Sequence, residues 1–260
     1  MKKKELILFD FDGVIVDGMN EYWHSSLLAC KYYLNSTDIC SDINTNLKPS
    51  NVFISLRPWI KYGWEMVIIT HEIIKINNPL TDKNKESFLA DYQKNCASII
   101  FKNSWDSKNL QKCLDRAREL QISNNFDQWI SLHNPFMEVI EFIKYAKKNG
   151  CQIGIITTKG KLFTQKILEK IDIEPNFIYG YESGSKPEII TKLINEFKII
   201  GFVEDRLKTL LNIVNNNLTS HVPCYLADWG YLKEHDRINL PKKIKLLKLN
   251  DLKNKLANFD

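Results

Sequence analysis

The sequence predicts an α/β fold: a parallel sheet with helices on both faces, interrupted near its start by a long helical insert. Three short apolar runs of strand character carry the prediction, at residues 6–9, 153–156 and 199–203, and they end at Asp10, at Thr157, and at Glu204 with Asp205. A helical pattern follows each run, as the alternation of a parallel sheet requires. More than a hundred residues of a different character separate the first run from the second, far beyond an ordinary strand-to-helix connection.

The helical patterns can be followed residue by residue. After Thr157 the apolar positions Phe163, Ile167 and Ile171 recur at helical spacing, and after Asp205 so do Leu207, Leu210, Leu211 and Val214. Pro135 predicts the start of another helix, with Phe136, Val139, Ile140, Ile143 and Ala146 on one face and Gly150 as its stop. Pro187, Ile189, Ile190, Leu193, Ile194 and Phe197 form one more. In the insert, Trp23, Leu27, Cys30 and Leu34 are helically spaced, as are Phe53, Leu56 and Ile60, and then Leu110, Cys113, Leu114, Ala117 and Leu120. Residues 66–70 hint at extended structure, but so short an apolar run reads equally as buried helix. The expected division is a core of residues 1–17 and 135–260, with an insert at 18–134. Asparagine-rich stretches near residues 44–51 and 215–217 read as loops.

At 260 residues, 44% hydrophobic and 26% charged, the chain can bury a full core. The six cysteines, Cys30, Cys40, Cys96, Cys113, Cys151 and Cys224, are scattered without C-x-x-C or Cys/His pairing. They indicate neither a zinc site nor a disulfide framework, and predict reduced thiols in a cytoplasmic protein. The apolar run after Met1-Lys2-Lys3-Lys4 is four residues from Leu6 to Phe9, too short for a signal peptide or a membrane span, so no membrane association is expected. A formal net charge of +5 implies mild attraction to anions. The lysines at 242, 243, 245, 248, 253 and 255 alternate with apolar residues and read as the solvated face of a final strand and helix, so no nucleic-acid partner is expected.

The strand ends carry the chemistry. Ligands of open parallel sheets bind beyond the carboxyl ends of the strands, where Asp10, Asp12, Thr157, Glu204 and Asp205 lie. Side chains two apart on an extended backbone point the same way, so Asp10 and Asp12 face one site if the strand character persists that far. Such a pair repels unless it holds a cation or shares a proton. Magnesium suits it, because that ion prefers oxygen ligands and joins carboxylates to substrate phosphate. Gly13 allows a sharp turn and brings backbone N–H groups close to a bound anion.

These residues resemble the motifs of the haloacid dehalogenase superfamily, specifically its phosphoglycolate-phosphatase-like branch. LILFDFDGVIVD matches a first motif of an apolar strand followed by D-x-D-G-[VT], including the later Asp17. GIITTKGK fits the second with Thr157 and adds a Thr-x-Lys, Thr157 to Lys159; SGSKPEII supplies the third as Lys186; IIGFVEDRLKTL supplies the fourth as Glu204 and Asp205. ADWGY, with Asp228 to Tyr231, is similar to a Trp-Gly-Tyr segment late in that branch. The resemblance implies a Rossmann-like core with a helical cap that selects substrate, and a magnesium-dependent phosphatase acting on a small phosphomonoester. It implies Asp10 as nucleophile, Asp12 as general acid and base, and Thr157 and Lys186 as holders of the phosphoryl oxygens. Gly13, Thr158 and Arg57 are the expected substrate-binding residues, and Asp10, Asp12, Asp205 and Glu204 the expected metal ligands, Asp12 through its main-chain carbonyl. Many members carry a second acid four residues into the fourth motif, where this chain has Thr209; the adjacent Glu204 and Asp205 match the other form.

Arg57, Trp59, Lys61 and Tyr62 are the insert's candidates for contact with a leaving group, while His71 and His133 read as structural. Two other functions use the same residues. A phosphomutase shares the core and differs in its acceptor. A non-catalytic phospho-signalling or ligand-binding module would be compact, and a degenerate relative would have lost Asp10, Asp12 or Lys186.

Overall fold

The computed structural model describes residues 3–34, 38–39 and 48–257. Cys40 and residues 44–47 of the asparagine-rich stretch lie outside the described residues. The chain forms two compact units, Gly18–His133 on one hand, and Met1–Asp17 with Asn134–Asp260 on the other. Asn134 falls with the second because it pairs with Asp17 in a short antiparallel ladder.

The inserted unit is helical. It contains α1 (Met19–Leu28), α2 (Asn51–Leu56), α3 (Gly63–Ile74), α4 (Lys85–Ala90), α5 (Tyr92–Lys102) and α6 (Ser107–Ser131). Two caps set helix starts: Ser50 Oγ accepts from Phe53 N at 3.1 Å, and Asp106 Oδ1 accepts from Asn109 N at 2.9 Å. Pro58 stops α2, and Arg57–Trp59 tightens into a 3₁₀ turn. Residues 66–70, with their hint of extended structure, are the middle of α3. That helix is buried from Glu65 to Glu72, and a helix covered on all sides loses the polar stripe that would reveal its period. Val67 and Ile68 pack with Leu28, Leu34, Ile99, Leu110 and Leu114 in the core of this unit. Helix α6 breaks at Asn125, whose backbone leaves the helical region.

The second unit holds a six-stranded, wholly parallel sheet. Its strands are β1 (Lys4–Phe9), β4 (Gln152–Ile156), β5 (Phe177–Tyr179), β6 (Phe197–Glu204), β7 (Cys224–Ala227) and β8 (Ile244–Leu247), in spatial order β5-β4-β1-β6-β7-β8; β2 (Val16–Asp17) and β3 (Asn134–Pro135) form the small ladder. Five helices belong to it: α7 (Met137–Lys148), α8 (Lys161–Lys170), α9 (Lys186–Glu196), α10 (Leu207–Val214) and α11 (Leu252–Leu256). Strand β1 is central and its last four residues are wholly buried, as both covered faces of a parallel sheet demand. The order reverses on either side of β1, so the carboxyl ends of β1, β4 and β6 open on one crevice.

Two elements differ in detail from their sequence patterns, and the lysine-rich end agrees with its pattern. Pro135 does not begin a helix; it lies in β3, Phe136 N donates to Ile15 O at 2.9 Å, and α7 starts at Met137. The run at 199–203 extends to Phe197 and Glu204, because β6 pairs with β1 along its length. The lysine-rich end forms β8 and α11, with Lys245 exposed between buried Ile244 and half-buried Leu246. No helix among the described residues is long and apolar enough to cross a membrane.

Candidate active site

The crevice is assembled from strand ends. Asp10 follows β1 and stays in register with β6, its N–H donating to Val203 O at 2.8 Å, while its own Oδ1 accepts from Phe11 N at 2.8 Å. The chain then turns: Gly13 takes φ 82° and donates its N–H to Val16 O at 2.7 Å. The sharp turn expected at Gly13 is present, and the turn uses the Gly13 amide itself. A side chain there would overlap the Asp205 carboxylate.

Thr157 follows β4, with its N–H held by Tyr179 O at 2.9 Å and its hydroxyl accepting from Lys159 N at 3.0 Å. Thr158 beside it is half-buried. Lys186 opens α9 behind a capping box, in which Ser185 N donates to Glu188 Oε2 at 3.0 Å. This fixes the helix start, and the Lys186 side chain reaches Asp10 Oδ1 at 2.9 Å and Glu204 Oε2 at 2.7 Å. Glu204 ends β6 with its other oxygen accepting from Arg206 N at 3.1 Å. Asp205 Oδ2 accepts from Tyr231 N at 2.9 Å.

Asp10, Glu204 and Asp205 are all buried, and each offers a carboxylate oxygen within 4.8 Å of the others. Among the described residues they form the acidic group able to hold a cation. The Asp12 carboxylate is not one of these three; Lys159 Nζ lies 3.4 Å from its Oδ1. The regular strand ends at Phe9, and Asp12 bridges to Val16 in the turn that follows.

Charge in the crevice is uneven. Burial opposes the Lys186 charge, but Asp10 and Glu204 outweigh it and hold the ammonium above the usual lysine range. Burial, and then the neighbouring Asp10 charge, push the Glu204 carboxyl well above its ordinary range against the pull of Lys186. The Lys186 ammonium thus pairs with two of the three clustered acids, Asp10 and Glu204. Oxygen-only donors with surplus negative charge suit a hard divalent cation, and such a cation would relieve the repulsion that raises Glu204.

Three features had no assigned task in the sequence reading. Lys159 pairs with Asp12; its Thr-x-Lys spacing was visible, but its target lies 147 positions away. The Trp-Gly-Tyr segment locks the first-motif turn: Trp229 Nε1 donates to Val14 O at 3.1 Å, and Tyr231 Oη donates to Asp17 Oδ1 at 2.6 Å. Gly230 lies against Gly13 O and the Asp205 side chain, with no room for a Cβ. Of the insert's candidates, Arg57 belongs to the helical unit, where its guanidinium lies 4.9 Å over the Tyr22 ring and donates to Ile60 O at 3.2 Å. Lys61 covers the Tyr62 ring at 4.5 Å, and Trp59 is half-buried. His71 is buried against Glu72 and Trp105, and His133 against Trp129.

No curated protein sequence matches the chain. Among solved structures it is similar to a protein described as a predicted phosphatase from Clostridium acetobutylicum, with a TM-score of 0.59 at 17% identity over 99% of this chain and 100% of that one. It is also similar to one described as a predicted phosphoglycolate phosphatase from Haemophilus somnus 129PT, with a TM-score of 0.57 at 17% identity over 98% of both chains. A third, provisionally described as a beta-phosphoglucomutase from Thermotoga maritima, gives a TM-score of 0.55 at 12% identity over 98% of this chain and 100% of that one. At such identities the likeness speaks for the fold alone. The family described as haloacid dehalogenase-like hydrolase matches residues 4–209, most of the chain, and with the parallel sheet and its acidic crevice this makes the protein a member of that family and an enzyme of the hydrolase class.

Proposed function

We propose that the protein is a magnesium-dependent phosphatase that hydrolyses a small phosphomonoester through an aspartyl-phosphate. The observation that carries the reading is the Lys186 ammonium between Asp10 and Glu204, at 2.9 and 2.7 Å, beside the cluster of Asp10, Glu204 and Asp205. Asp10 attacks phosphorus, and the bond to the leaving oxygen breaks; splitting the reaction in two lowers each barrier. Asp12 gives that oxygen a proton, then takes one from the water that releases inorganic phosphate from Asp10. Lys186 and the Thr157 hydroxyl hold the phosphoryl oxygens, with Thr158 alongside. Asp10, Asp205, Glu204 and the main-chain carbonyl of Asp12 would hold the magnesium ion. Bound there, it supplies positive charge for the transferring group, the main source of catalysis in phosphoryl transfer.

The insert serves as the lid that selects substrate and excludes water, with Arg57 as its contact to the leaving group. The domain division at Asp17 and Asn134 follows this split between chemistry and selection. The free thiols suit a cytoplasmic protein, and the partner proposed is a small-molecule phosphomonoester.

A panel of phosphomonoesters assayed with and without magnesium, beside Asp10→Asn and Asp12→Asn variants, tests the reading. Phosphate release that requires magnesium and disappears in Asp10→Asn is the expected result. Activity retained in Asp10→Asn removes the nucleophile. Isomerisation of a sugar phosphate outpacing phosphate release turns the reading to a phosphomutase, and binding without turnover across the panel turns it to a ligand-binding module.

A further inference from the structure

The two buried lysines of the crevice serve different acids. Lys186 is joined to Asp10 and Glu204, the nucleophile and the cation cluster. Lys159 is joined to Asp12, at 3.4 Å, and the two side chains are 1% and 12% exposed. The lysine is also fixed by its backbone: its N–H donates to Thr157 Oγ1 at 3.0 Å, and its carbonyl accepts from Tyr181 N at 3.3 Å. A charge pair so enclosed is screened little by water.

We propose that Lys159 is a positioning residue that acts through Asp12, fixing the direction of the Asp12 side chain so that it meets the leaving oxygen. The proposal rests on the reading of Asp12 as general acid and base. In the first half-reaction the Asp10 oxygen bonds to phosphorus, the ester P–O bond breaks, and the Asp12 proton passes to the departing oxygen. That transfer depends on where the Asp12 side chain is held, which is the part Lys159 plays. In the second half-reaction water bonds to phosphorus, its proton returns to Asp12, and the P–O bond to Asp10 breaks to release inorganic phosphate. The contact therefore matters most where the leaving oxygen needs a proton, as in alkyl esters, and less for an aryl oxide that departs as a stable anion.

The test compares Lys159→Met, Lys159→Arg, Asp12→Asn and the Lys159→Met/Asp12→Asn double variant on glycerol 3-phosphate and on p-nitrophenyl phosphate, with magnesium present. General acid catalysis is worth about 10²–10⁴-fold, so the expected loss in kcat/KM for Lys159→Met is about 100-fold on the alkyl ester and about threefold on the aryl ester. Lys159→Arg should recover part of the alkyl-ester activity. In the Asp12→Asn background the same change should cost no more than about twofold, since the two residues act as one unit. The magnesium-induced rise in Tm should persist in Lys159→Met, because Asp12, the carboxylate that Lys159 faces, is not one of the three clustered acids.

Equal losses on both esters, or full additivity with Asp12→Asn, would make Lys159 merely structural and overturn the proposal. A lost magnesium response would do the same by moving Lys159 to the cation site. An Asp12→Asn variant as active as the parent on glycerol 3-phosphate overturns the acid-base reading itself, which separates that failure from failure of the Lys159 proposal. If Lys159→Met does not fold, Lys159→Gln carries the same comparison.

Discussion

Each unit buries charge, but with opposite accounting. In the insert, Glu21 is fully enclosed and answered: Arg118 Nε reaches one oxygen at 2.7 Å, its Nη2 reaches the other at 3.1 Å, and Ser25 Oγ adds a bond at 2.6 Å. Arg118 is itself 2% exposed. The pair ties α1 to α6 with bidentate geometry and is complete as it stands. In the core, Lys159 faces Asp12 and Lys186 faces Asp10 and Glu204, and Asp205 lies beside these last two as a third clustered carboxylate. A buried excess of charge costs folding energy unless something brought from solution neutralises it. The contrast teaches that clustering of like charge, more than burial, marks the candidate site: the insert's buried acid is matched by an arginine, whereas the core gathers three buried acids at one place.

Substitutions should separate these two kinds of charge. The largest effect is expected for Asp10→Asn, which should lower kcat by about 10³-fold or more while leaving the protein folded, as steady-state phosphate release and thermal unfolding will read. Arg118→Met should do the reverse. It leaves Glu21 buried without its partner and should cost about 3–5 kcal/mol by urea unfolding, whereas Glu21→Met combined with it should regain most of that loss. An Arg118→Met variant of unchanged stability would break the comparison.

Tyr231→Phe sharpens it further. Losing the 2.6 Å bond to Asp17 should cost about 1 kcal/mol of stability. It should also raise the magnesium concentration needed for half-maximal activity, because the Tyr231 N–H also holds Asp205. A magnesium titration that does not move would confine Tyr231 to packing.

The smallest effect concerns the thiols. Burial pushes Cys96 in the insert, and Cys151 and Cys224 in the core, up to about 12. Burial likewise raises the Cys30 thiol. The folded protein holds these protons more tightly than the unfolded chain, so the stability they lend is full below the ordinary thiol range and declines as pH rises above it. Native protein should therefore react slowly with iodoacetamide at pH 8–9, where free thiols near 8.5 react readily. Fast alkylation of Cys151 or Cys224 at pH 8 would show the core opening locally.

Much of the core was legible because its signals are local. Each apolar strand ends in a chemically distinctive residue, so Asp10, Thr157 and Glu204 marked the strand ends, and Lys186 marked the start of α9. The short strands β5, β7 and β8 gave weaker signals, being few residues long and lacking any distinctive end. In the insert the helical period showed at α1 and α6, but α3 was ambiguous because its burial on all sides erases the period.

What the sequence determined by itself is the inventory: the alternation of strands and helices, the acids, threonine and lysine at the strand ends, and the interruption after Asp17. Only the tertiary structure decided their partners. It aimed Asp12 at Lys159 rather than at the acidic cluster, used the Gly13 amide to close a turn, and brought Tyr231 to both Asp17 and Asp205. The reason is physical: periodicity and strand ends are properties of neighbours in the chain, whereas a side chain's partner depends on where a turn of a few residues points it in space.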